Sequence, residues 1–306
     1  MQSGQRANIR SVASVLTGAV LFGTAGTAAA LAPAGASPAA LGALRLMIGA
    51  IILLVLIPLI GGSLRRLSAL LRRRTVWIMA VAVAAYQPLF FGAVDRSGVA
   101  LSTLLTVGTA PIISGLLGRA VLRQPLTRAW MIATAIAVVG LFLRSWGELE
   151  MGDALGVAMA LGAGVAIASY MGVAKGELDR GAHSVELPAA AYLLGSIVLI
   201  PILISQRLDW VASVAGLAVV IYLGAITMSV ANVSVIMGLR GMSSGPASTL
   251  LLADPLTATL LGLLLLNESL SWIGAVGLIL VLIGLVLQAR AVTRDARVDP
   301  EPAPVM

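Results

Sequence analysis

From Ser11 to about Ala289 the chain is a succession of long apolar runs, separated by connections too short to fold by themselves. No other feature restricts the fold as tightly. A helix crosses the ~30 Å hydrocarbon core of a bilayer with about 20 apolar residues. The runs have that length: roughly 11–31, 38–60, 75–94, 97–119, 127–144, 153–174, 185–205, 211–237, 245–266 and 271–289. Hydrophobic residues fill 59% of the 306 positions and charged residues 11%, whereas a soluble domain is about 25% charged. So few polar groups cannot clothe a water-facing surface, and so apolar a chain has no reason to stay disordered. The expected fold class is all-α integral membrane, with ten transmembrane helices and no room for a separate soluble domain. The first run, behind Arg6 and Arg10, has the flank of a signal peptide. It leads through a short loop into a second long run, however, and is read as a retained first helix.

Charge then orients the spans. With the N-terminus inside and strict alternation, sixteen of the twenty Lys and Arg residues fall on the inner side, the Arg72-Arg73-Arg74 run among them. Arg96, Arg144 and Arg207 fall outside, and Arg45 lies within the second span. Basic residues in short loops mark the cytoplasmic face. The net charge of +7 thus reports orientation, with both termini cytoplasmic in an inner (cytoplasmic) membrane, and no nucleic-acid partner is expected. Trp77, Trp130, Trp146, Trp210 and Trp272 all lie near span ends, as an interfacial belt does.

The two halves repeat. Ser102-Thr-Leu-Leu aligns with Ser248-Thr-Leu-Leu. After two residues are removed, Pro111 meets Pro255, Leu-Leu-Gly118 meets Leu-Leu-Gly262, and Gly140-Leu141 meets Gly284-Leu285. The chain divides near residue 150 into a first five-span repeat (1–150) and a second with a tail (151–306). Five is odd, so the second repeat enters the membrane from the opposite side. Inverted repeats of this kind frame a midplane site in many secondary transporters.

With those motifs, the chain resembles the EamA-type members of the drug/metabolite transporter superfamily. The half-repeat through Ser248, Pro255, Gly262 and Gly284, its first-half counterpart, and Arg45 in Ala-Leu-Arg-Leu carry the likeness. So does Asn267-Glu268-Ser-Leu, similar to the family's acidic motif; the first half has Gln124 there and loses the charge. The resemblance implies a ten-helix carrier of small organic solutes, similar to exporters of amino acids, aromatic ones included.

Ionisable groups within a span cost about 2.5–3.5 kcal/mol on insertion scales and normally face a cavity or a partner. Asp254 is the acid well inside a span. It precedes Pro255, which strips the Leu251 carbonyl of its usual helical donor, and its counterpart in the first half is Ala110. It is either a ligand for a substrate ammonium or a coupling proton, or a buried acid paired with Arg45 or a backbone donor. Arg45 could bind a substrate carboxylate bidentately, pair with Asp254, or snorkel to the outer headgroups. Tyr86 falls on Asn232 in the repeat register. With Gln87 and the backbone opened by Pro88, these residues would give a cavity wall or plain interhelical bonds. Tyr170 would face the same cavity or anchor at the interface. Ser248 and Thr249 would meet substrate or bridge neighbouring helices. Pro88, Pro111 and Pro255 are the candidate bend positions.

There is no cysteine, and the one histidine, His183, lies in a loop, so neither a metal site nor a cofactor is expected. No P-loop is present, and the one lysine is Lys175. A membrane enzyme would need paired catalytic groups within the spans, and none stand there. The expected activity is export of small metabolites, amino acids foremost, by alternating access. A flippase for lipid-linked substrates and a channel-like facilitator are the alternatives. The sequence leaves proton coupling against facilitated export, and monomer against homodimer, open; its expected partners are a small solute and membrane lipid.

Overall fold

Helix starts follow local chemistry. In the computed structural model, which describes residues 2–146, 153–265 and 269–298, the hydroxyls of Ser37, Thr127 and Ser213 accept from the amides of Ala40, Trp130 and Gly216. Asp153 takes the Gly156 amide at 2.6 Å in the same way. Each satisfies one orphan donor of a first turn. The helices are α1 (Gln2–Ala30), α2 (Pro38–Leu59), α3 (Leu64–Leu71), α4 (Arg74–Leu122), α5 (Arg128–Arg144) and α6 (Ala154–Asp179). They continue as α7 (Glu186–Ile204), α8 (Val214–Tyr222), α9 (Ala231–Leu239), α10 (Ser244–Leu250), α11 (Ala253–Leu265) and α12 (Trp272–Val298). A 3-10 turn covers Asp209–Ala212, and a π-helical segment, Leu223–Val230, joins α8 to α9. The described residues contain no strand.

The radial pattern is that of a membrane bundle. Ala80, Ala137 and Ala160 are fully buried, while Leu59, Ile204 and Leu264 are 74–78% exposed. Large apolar side chains turned outward would aggregate in water but are at home in lipid. Small ones inside let backbones approach. The α5–α12 contact shows how closely: a Cβ on Gly140 would lie 2.5 Å from the Val281 amide nitrogen and 2.6 Å from the Gly277 carbonyl oxygen. Elsewhere α2 packs on α7, α1 on α9 and α11, and α4 on α6, α7 and α10.

Among the described residues, eight helical segments are long and apolar enough to cross a membrane, where ten spans were expected. Two features account for the difference. The third and fourth spans, expected at 75–94 and 97–119, merge into α4, whose backbone is interrupted at Gly98 by φ 71° and ψ 165°; glycine adopts that conformation at little cost. And α5 has 17 residues, at the short limit for a span. The ninth span is two pieces, α10 and α11, and its expected end at Leu266 lies outside the described residues, as does the boundary between the halves near residue 150. The connection after α2 holds the unexpected helix α3. The aromatic belt also needs revision: Trp130 and Trp210 are buried. Trp130 wedges between α4 and α10, against Gly115 and Gly245.

Candidate functional site

The missing side chain of Gly42 sets up the centre of the molecule. A Cβ there would lie 2.6 Å from the Phe91 ring and 2.9 Å from Gln87 Oε1. Without it, both side chains of α4, four residues apart on one face, lie against α2 about one turn before Arg45. Arg45 Nη2 donates to Gln87 Oε1 at 3.0 Å, and its guanidinium carbon sits 6.0 Å from the Phe91 ring centroid, a distance at which the ring face attracts a cation. Arginine has five N–H donors; the buried Nε of Arg45 has no partner among the described residues.

Asp254 comes from α11, in the second half of the chain. The helix breaks before it: Leu252 N donates to Thr249 O and Asp254 N to Leu251 O, so α11 restarts at Ala253. The Leu251 carbonyl, expected to be left free by Pro255, is therefore satisfied by the Asp254 amide at 2.9 Å. The break puts the Asp254 carboxylate in the first turn of α11, where the helix dipole favours an anion. Gly23 of α1 lets the strand of chain through Asp254 approach: a Cβ there would lie 2.6 Å from the Asp254 carbonyl oxygen.

Arg45 and Asp254 act on each other electrostatically, and both act on Tyr86. Yet among the described residues no direct ion pair joins them. All three side chains are half-buried. Tyr86 stacks on Phe90, with ring centroids 5.6 Å apart and planes 6° apart. Farther round, the Tyr170 hydroxyl donates to Asn232 Oδ1 at 2.9 Å, and Tyr170 stacks on the buried Tyr192, which also feels the Arg45 charge. Asn232 is the second residue beyond the π-helical segment. There the Ser229 hydroxyl lies 2.9 Å from the Gly224 carbonyl oxygen and 3.2 Å from that of Gly49. Wide turns of this kind are common at functional sites.

The structure thus joins Arg45 to Gln87, keeps Tyr86 and Asp254 within reach of the Arg45 charge, and pairs Tyr170 with Asn232 by a hydrogen bond. Ser248 and Thr249 lie elsewhere. Ser248 donates to Ser114 Oγ, and Thr249 shares a hydrogen bond with Thr134, both at 2.8 Å, which ties α10 to α4 and α5. Pro88 is exposed and Pro111 is buried inside unbroken helix. Gln124 accepts from the amide and hydroxyl of Ser244 at the start of α10; its counterpart Glu268 lies outside the described residues. Sequence reasoning missed Gly42, Phe91 and Tyr192.

It also missed two acids at the basic end of the bundle. Glu177, 1% exposed, is held by Arg73, by Arg180 at 2.9 Å and by Thr75 at 2.8 Å. Glu186, equally buried, takes the Ser63 amide at 2.7 Å and Arg66 at 2.9–3.0 Å. That carboxylate pushes the Arg66 pKa above its ordinary value, through the hydrogen bonds first and charge second. Two carboxylates so held fasten α3 and the start of α4 to α6 and α7. His183 is near Glu186, its Nδ1 3.4 Å from the Val185 amide.

Comparison with known proteins fits this architecture. The chain is 36% identical over 287 residues to the uncharacterised transporter YwfM of Bacillus subtilis, covering 90% of this chain and 93% of that protein. It is 27% identical over 240 residues to the threonine/homoserine exporter RhtA of Salmonella typhimurium, covering 74% and 77%. One crystal structure superposes with a TM-score of 0.79 at 18% identity, over 93% of this chain and 98% of that one, a likeness of fold. The model of the EamA-like transporter family matches twice, at residues 9–146 and 154–290. The chain belongs to the EamA-like transporter family.

Proposed function

We propose that this transporter exports small amino acids or closely related zwitterions across the cytoplasmic membrane, and that Arg45 and Asp254 hold the two ends of the solute. The observation that carries the reading is their placement: opposite charges, half-buried in an apolar bundle, within electrostatic reach and without a direct ion pair. A guanidinium with unused donors suits a carboxylate; a carboxylate with no side-chain partner among the described residues suits an ammonium. Gln87 orients Arg45, and Tyr86, Tyr170 and Asn232 supply the wall. The named solutes of RhtA, threonine and homoserine, are zwitterions of this kind.

Alternating access around this centre is the mechanism we assign. The two family matches support two repeats, with ten spans if α4 counts as two and α5 as one. So does the packing. Exchanging the halves carries the α2–α7 and α5–α12 contacts onto themselves and the α1–α9 contact onto α4–α6. The loop charges support a topology with both termini in the cytoplasm. The test is counterflow in proteoliposomes loaded with a panel of amino acids, threonine, homoserine and aromatic ones included. Saturable exchange of at least one, competed by others, is expected. Conductance without saturation would mean a channel, and no exchange across the panel would overturn the reading.

A further inference from the structure

The basic end of the bundle holds two kinds of arginine. Arg66 and Arg73 are engaged with Glu186 and Glu177. Arg65, Arg72 and Arg74 are exposed, and their side chains have no partner among the described residues. Arg74 opens α4, and the residues at spacings of three, four, seven, eight and eleven beyond it are Trp77, Ile78, Val81, Ala82 and Ala85. Those spacings share one helical face. The same five residues, with Ala166 and Ser169 of α6, line an open groove of about 420 Å³ on the outside of the bundle. Trp77, Ile78 and Val81 are about half exposed there. The Trp77 ring is pinned at the head of the groove by its indole N–H, which donates to the Leu71 carbonyl at 3.0 Å.

The groove therefore has a cationic head and an apolar body. From Arg74 to Ala85 the helix rises about 16 Å, close to the ~15 Å of one leaflet's hydrocarbon. We infer that an anionic phospholipid binds here, its phosphate on Arg74 and Arg72 and one acyl chain along the face from Trp77 to Ala85. The charge selects the lipid: a zwitterionic headgroup brings its own cation to a patch that already has three, while phosphatidylglycerol brings an anion alone. The groove selects a lipid over a soluble phosphate, because only an acyl chain fills its apolar body. Bound there, the lipid spans the α4–α6 contact beside the Arg73–Glu177 ion pair.

Native mass spectrometry on the full chain, with phosphatidylglycerol or phosphatidylcholine added to the detergent, tests this. Wild type should retain phosphatidylglycerol about tenfold better. R72Q/R74Q should bring that ratio close to one; these exposed side chains carry no packing. A85L, which narrows the groove without touching charge, should lower retention of phosphatidylglycerol while the arginines remain. A photoreactive acyl chain on phosphatidylglycerol should cross-link within 77–85 or at 166–169. Equal retention of the two lipids by wild type, an unchanged ratio in R72Q/R74Q, cross-links confined to other segments, or displacement by glycerol 3-phosphate at matched concentration would each overturn the proposal.

Discussion

Pro111 and Pro255 hold the same register in the two halves, yet only one stands beside a broken helix. Around Pro111, α4 runs on unbroken; before Pro255, Leu251 and Leu252 leave the helix and α11 restarts. Proline is common to both and so cannot be what distinguishes them. Spacing does. Five residues separate Leu105 from Pro111, but three separate Leu251 from Pro255. Removing two residues from a continuous helix would turn everything beyond by about 200°. The turn at Leu251 and Leu252 absorbs that mismatch, and it converts a mid-helix position into a helix start. In the first half that position is Ala110, buried; in the second it is Asp254. The second half has spent its symmetry on placing a charge where a helix dipole can support it.

The comparison can be broken at several points. The largest expected effect is on transport: Asp254→Ala makes the second half chemically like the first and should cut counterflow by about 100-fold or more, with the protein still monodisperse in detergent. Near wild-type rates would show that the charge is incidental. Next is assembly. Ala110→Asp puts a carboxylate in mid-helix with no dipole to support it, at about 2.5–3.5 kcal/mol on insertion scales, and should reduce the membrane-inserted yield. Normal yield would mean that the first half also tolerates the charge. Pro255→Ala should leave the break in place, because spacing causes it, and change the rate by about threefold at most. A rate loss as large as that of Asp254→Ala would return the break to the proline. Smallest of all, Pro111→Ala should leave transport within about twofold and raise the melting temperature slightly by restoring a backbone bond.

Much of this was legible in the sequence, and the losses have physical causes. Apolar runs report the bilayer directly, so the spans were visible. Where a run bends was not. Gly98 adjoins the expected gap between the third and fourth spans, but the π-helical segment at Leu223–Val230 lies inside one apolar run, and its Ser229–Gly49 hydrogen bond joins two helices, which no local pattern encodes. Arg45 and Asp254 stood out because a lone charge in lipid is costly. Phe91 did not, because an aromatic residue in an apolar run is ordinary; only the gap left by Gly42 gives it a cation to face. Ser248 and Thr249 carried the repeat signal strongly, and the structure uses them to join helices. Glu177 and Glu186 lie beyond or at span ends, where acids are cheap in water and carry no signal. Burial among arginines from the α2–α4 connection and from the loop after α6 is a tertiary fact.

The assignment of a carboxylate to Arg45 and an ammonium to Asp254 is specific to each end of the solute. It is tested most directly by pairing two variants with two modified solutes: counterflow of a transported amino acid, its methyl ester and its N-acetyl form, measured for wild type, Arg45→Gln and Asp254→Asn. Wild type should reject both modified forms. Arg45→Gln should lose the preference for the free acid over the ester while still rejecting the N-acetyl form, and Asp254→Asn should do the reverse. If both variants keep the wild-type preferences at whatever rate they retain, the two residues do not touch the solute and the account is wrong.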